Sequence, residues 1–128
     1  MKCNLWRFRF RIIIIVKITM PSEEWSKSEK TIARRAFDLA YERECAALAD
    51  EVRRLADRIA GPDDIWKIHD FLRSKRKEID EKYDYRYSVL IFVFARLLGE
   101  GWLEESELAG LSDDKLAKIQ FLAGTADQ

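Results

Sequence analysis

The sequence predicts an all-α protein in which two long helices lead into a compact C-terminal helical head. Three observations carry that prediction. Residues 26–60 contain neither glycine nor proline and are rich in Ala, Glu, Arg and Leu, which lose little side-chain freedom in a helix. Within them Leu48, Val52, Leu55 and Ile59 recur at four, three and four residues, one stripe along a helix. The strongly apolar run at residues 89–94 has strand-like preference, but after Met20 the chain holds no convincing second strand to pair with it.

The first helix begins at Ser26 or Ser28, either of which can cap it, and stops at Gly61-Pro62. Ile32, Ala36, Phe37 and Leu39 extend an apolar side toward its start. At about 1.5 Å per residue it reaches about 50 Å, more than the width of a compact domain of this size. Its stripe therefore needs cover from a second long helix and from a second subunit, so a homodimer is expected.

Asp63 or Asp64 caps a second helix running to about Tyr83. At about 100° per residue, Ile65, Ile68, Leu72 and Ile79 line one face, assigned to the core. Trp66, His69, Arg73, Arg76 and Asp80 share an adjoining face, bordered by Asp70 and Lys77. Asp70 and Arg76 stand about 120° apart around the helix, too far to pair within it. A third helix is expected from about Tyr85 to Leu98, stopped by Gly99 to Gly101. Residues 103–108 form a short helix, and Ser112 caps a last one through Leu116, Ile119 and Leu122. Glu104, Glu105, Asp113 and Asp114 stand at helix starts, where the dipole favours negative charge. Residues 124–128 are expected to fray.

Composition narrows the function. A chain of 128 residues suits one domain with a modest core. Its 23 basic and 23 acidic residues cancel, whereas a nucleic-acid binder usually shows a basic excess. The local cluster Arg73-Ser74-Lys75-Arg76-Lys77 is diluted by Asp70, Glu78, Asp80 and Glu81. Cys3 and Cys45 fit neither a disulfide framework nor paired metal-ligand spacing, and His69 is the only histidine. His69-Asp70 occurs as a dipeptide in metal phosphohydrolases, but those need several histidine ligands. No Gly-rich phosphate loop or nucleophile motif is present. The expectation is no enzyme, no metal and no cofactor.

Residues 1–19 differ from the rest, being basic and free of acidic residues. Their apolar run, 12–16, is too short to span a bilayer and is interrupted by Lys17, and no small-residue cleavage site follows. They are expected to be an extension included by a mis-called start, or a disordered one, with Met20 opening the working protein and no membrane insertion. Trp66 beside Arg76 points to a protein-binding face, because indole and guanidinium are enriched where proteins meet. The rivals are a generic helical dimeric adaptor with a weak basic nucleic-acid-binding patch, and a hydrolase using His69 with Asp70.

The stretch from Trp66 to Asp84 reads W-K-x-H-D-F-L-x-x-K-R-x-E-I-D-x-K-Y-D, and "PSEEW" and "AYERE" precede it. These motifs resemble the fluorescence recovery protein family of cyanobacteria over most of the chain after Met20. The resemblance implies an all-α homodimer, with two long antiparallel helices forming an extended stem at about 26–84 and a small helical head at about 85–123. It implies a non-enzymatic, cytoplasmic regulator that carries no pigment. Such a regulator binds the red, photoactivated form of the orange carotenoid protein, mainly at its C-terminal domain. Binding speeds return to the orange form and release from the phycobilisome, which the regulator meets only indirectly. Carried over by motif position, Arg76 is the residue most needed for activity, with Trp66, His69 and Asp70 around it and Phe92 and Lys118 in the head. Ile65, Trp66 and Asp70 are expected at the dimer contact. Arg73 departs from the small residue expected there.

Overall fold

The computed structural model describes residues 24–125, among which every regular element is helical. The extension expected at residues 1–19 lies outside them. In chain order the elements are α1 (Lys27–Asp57), α2 (Pro62–Lys82), α3 (Leu90–Gly99), a 3-10 turn (Glu105–Leu108) and α4 (Asp113–Gly124).

Ser26 caps α1. Its hydroxyl accepts the Glu29 N–H at 3.2 Å, and its own N–H donates to Glu29 Oε1 at 3.0 Å, so two orphan donors are satisfied reciprocally. With 31 residues, α1 is about 46 Å long. It ends at Asp57, earlier than Gly61-Pro62 suggests, because the Arg58 and Ile59 N–H groups turn back to Leu55 and Ala56 carbonyls in a tightened last turn.

The start of α2 also differs from expectation. Gly61 is its N-cap and Pro62 its first residue, a position where the missing N–H has no helical partner to lose. Asp64 caps from inside, accepting the Ala60 N–H at 2.9 Å and the Gly61 N–H at 3.3 Å. The two helices make a hairpin. On α1, Glu44, Cys45, Leu48, Val52 and Leu55 are half-buried. On α2, Ile68, Phe71 and Lys75 are half-buried and Ile79 and Lys82 buried, a seam spaced by threes and fours.

This seam corrects the assigned core face of α2. Ile79 is buried and Ile68 half-buried, as expected, but Ile65 and Leu72 are exposed. The seam is centred about 70° further round, on Phe71, Lys75 and Lys82, because the polar Lys82 is drawn inward by carboxylates of α1 and the head.

The main core joins the first half of α1 to the head. Trp25, Ala33, Ala36, Phe37 and Ala40 pack with Leu90, Phe94 and Leu97 of α3, with Leu103, Leu108 and Leu111, and with Ile119 of α4. Alanines at 33, 36 and 40 keep that side of α1 thin enough for close approach. The third helix begins at Leu90 rather than near Tyr85. Before it the chain is irregular, with tyrosines at 83, 85 and 87. Tyr83 and Tyr85 meet Phe37 edge to face, at centroid distances of 5.4 and 4.9 Å, and Tyr87 contacts Trp25 at 5.9 Å. Aromatic anchoring onto α1 overrides the helical preference of this stretch. The short helix expected at 103–108 is a single 3-10 turn, and Ser112 caps α4 as predicted, accepting the Lys115 N–H at 3.3 Å.

Candidate functional site

Turning Phe71, Lys75 and Lys82 toward α1 aims another side of α2 at solvent. Taken at about 100° per residue, Leu72, Ile65, Arg76, His69, Asp80 and Trp66 fall in sequence across roughly 120° of that side. Ile65 is 53% and Trp66 64% exposed, two large apolar side chains with Arg76, His69 and Asp80 between them around the helix. The Trp66 and His69 rings meet edge on, at 6.5 Å between centroids.

Arg76 projects from this face with its side chain 80% exposed. Its Nε donates to both Asp80 oxygens, at 3.1 and 3.0 Å, an i,i+4 pair that fixes the stem of the guanidinium. The Asp80 hydrogen bond raises its already high pKa, so it stays cationic. Asp70, as its spacing requires, does not pair with Arg76; its carboxylate lies 3.5 Å from His69 Nδ1. Trp66, His69, Asp70 and Arg76 are thus brought together on one helix.

Tyr41 of α1 is a neighbour that the sequence alone does not single out. It is exposed, stacks edge on against Tyr83, and has its pKa raised by a hydrogen bond with Cys45, with Arg76 and Asp80 also acting on it. Its place beside Arg76 depends on the packing of α1 on α2, which no local pattern encodes. The Arg76–Asp80 pair, by contrast, could have been read from its i,i+4 spacing.

A buried polar cluster ties this hairpin to the head. Lys82, at the end of α2, donates to Glu44 of α1 at 2.5 Å and to Glu100 beyond α3 at 2.7 Å, with its side chain 1% exposed. Tyr83 donates to the other Glu44 oxygen at 2.6 Å, and Arg96 Nε to the other Glu100 oxygen at 2.8 Å. Burial alone would push the Glu100 carboxyl up, but Lys82 and Arg96 hold it below the usual carboxylate range. On the far side of the head, Lys115 bonds Glu29 and the Glu24 carbonyl and lies over the Trp25 ring. Burial works against Glu29, yet N–H groups of Ser26 and Ser112, together with Lys115, bring its pKa down to about 2.

Phe92 and Lys118 stand in the head, on α3 and α4. Phe92 is half-buried and packs against the core, while Lys118 Nζ pairs with Asp114 at 2.9 Å. The candidate residues therefore form two groups, Ile65, Trp66, His69, Asp70 and Arg76 on α2 and Phe92 and Lys118 on the head. Among the described residues no group of three or more His, Cys, Asp or Glu could hold a metal ion, and no helix is long and apolar enough to cross a membrane.

Comparison with known proteins gives these features a context. The family model described as photoprotection regulator fluorescence recovery protein matches residues 25–123. The fluorescence recovery protein of Synechocystis sp. PCC 6803 is 50% identical over 99 residues, covering 77% of this chain and 91% of that protein. The solved structure of the Fremyella diplosiphon fluorescence recovery protein aligns with a TM-score of 0.75 at 53% identity, covering 79% of this chain and 99% of that one. The Synechocystis structure aligns equally well, with a TM-score of 0.75, 50% identity and the same coverage.

Proposed function

The chain belongs to the fluorescence recovery protein family of photoprotection regulators, and from that premise we propose that it ends photoprotective quenching by binding the photoactivated, red orange carotenoid protein. Bound mainly to the C-terminal domain of that photosensor, it accelerates the return to the orange form and promotes detachment from the phycobilisome. It works in the cytoplasm, without cofactor or bond chemistry, as a homodimer whose stem is built from α1 and α2.

The observation that carries the reading is the outward face of α2, where an exposed indole, an exposed isoleucine and a fixed guanidinium share about a third of the helix surface. A protein hastens a conformational return only by binding the barrier state better than the red form. Arg76, with Trp66, His69 and Asp70 around it, supplies a directional cation beside an apolar anchor for surfaces that come together as the sensor recloses. Ile65, Trp66 and Asp70 serve the subunit contact on the same face. Phe92 and Lys118 extend the partner surface onto the head.

The test is the decay of red absorbance of purified orange carotenoid protein in darkness, timed with and without this chain. The wild-type chain should speed the decay, and Arg76→Leu should lose most of that effect while keeping its helix content. An unchanged decay with excess wild-type chain would sink the proposal. Normal acceleration by the folded Arg76→Leu variant would remove Arg76 from it.

A further inference from the structure

Positive charge is concentrated at the start of α1. Lys27, Lys30, Arg34 and Arg35, with Tyr85 and Tyr87, line a shallow cleft of ≈ 570 Å³ against the head. Among the described residues Asp38 is the single carboxylate lining it, and it reaches Arg34 only at 3.7 Å, with both side chains more than half exposed. Its described lining thus sets four cations against one anion in a chain whose formal net charge is zero. Arg35 also acts on Glu107 of the head, whereas Lys30 and Arg34 contact the tyrosines of the cleft.

Two of these cations are held over the aromatic floor. The Arg34 guanidinium carbon is 4.3 Å from the Tyr85 ring centroid, and Lys30 Nζ is 5.1 Å from that of Tyr87. Such contacts pre-orient long side chains, which lessens the ordering cost of meeting an anion. They also cover ring faces on which nucleobases would stack, so the cleft is poorly suited to single-stranded nucleic acid. Lys27 and Arg34 are about 10 Å apart along the helix. Carboxylates two or three residues apart on an extended chain span about 7–10 Å, which matches that row.

We propose that this cleft docks an acidic, extended polypeptide segment of a partner protein. It is built from α1 and the tyrosine segment, not from the outward face of α2, and it does not depend on what that face binds.

The test uses the full chain and a fluorescein-labelled ten-residue peptide of alternating Glu and Ala, followed by fluorescence anisotropy at low and at moderate salt. Saturable binding is expected, weakening as salt screens the contacts. Lys30→Glu/Arg34→Glu should weaken it by about tenfold or more, as for reversed charges across an interface. Arg58→Glu/Lys67→Glu, an equal change of charge at the far end of the hairpin, should leave it within about twofold, since screening confines the effect of distant charges. Far-UV circular dichroism checks each fold, and Lys30→Gln/Arg34→Gln replaces the reversal if that variant unfolds. Absence of saturable binding, equal loss in both charge variants, or tighter binding of a ten-nucleotide single-stranded DNA would each overturn the proposal.

Discussion

Replacing Lys82 by methionine tests the link between hairpin and head. Met is close in volume and keeps the apolar stem, so the change removes the ammonium while leaving packing nearly intact. Two carboxylates then lose their shared partner, with Glu44 13% and Glu100 23% exposed. Breaking a buried ion pair from one side costs about 3–5 kcal/mol, and the partial water access of both carboxylates favours about 3 kcal/mol. For a domain of this size that lowers Tm by about 12–24 °C. Thermal unfolding followed by circular dichroism, at one fixed protein concentration so that subunit association does not contribute, measures it. Lys82→Met/Glu44→Gln should recover part of the loss, because Glu100 is still held by Arg96 and no unpaired charge is left at Glu44. A single variant within about 3 °C of wild type would refute the reasoning, since a shift that small is well under 1 kcal/mol. So would a double variant less stable than the single.

Other outcomes follow from the same contacts. Trp66→Glu, on an exposed position of the single chain, should leave helix content unchanged and shift the mass seen by light scattering from dimer toward monomer; an unchanged mass would remove Trp66 from the subunit contact. Glu29 has its pKa lowered from 4.5 to about 2, so its stabilising contribution is complete above pH 4.5 and is lost as pH falls toward 2. Accordingly Glu29→Gln should flatten the fall of Tm across that acid range, and an identical slope would count against the assignment. Gly110 has φ +102°, and an added Cβ would lie 2.5 Å from Ile32 Cδ1. Gly110→Ala should therefore destabilise by at least about 1–2 kcal/mol from backbone strain alone, read as a lower denaturant midpoint; a midpoint equal to wild type would refute it.

Much of this protein follows from local sequence. Helix-forming composition without Gly or Pro makes α1, and Ser26 and Ser112 supply caps with side chains that need only the next three residues. Trp66, His69 and Arg76 share a face because their spacing repeats with the helix, and the pattern from Trp66 to Asp84 identified the family. Three things lay beyond that reach. Which side of α2 is inward was decided by Lys82, a polar residue drawn in by Glu44, 38 positions away, and by Glu100, which arrives from the head. The late start of α3 was decided by Phe37 and Trp25, which hold the tyrosine segment against α1 through ring contacts. The basic cleft exists because that segment brings Tyr85 and Tyr87 beneath Lys30 and Arg34. In each case the deciding partner is distant along the chain, and periodicity records only which residues share a face, not what that face will meet.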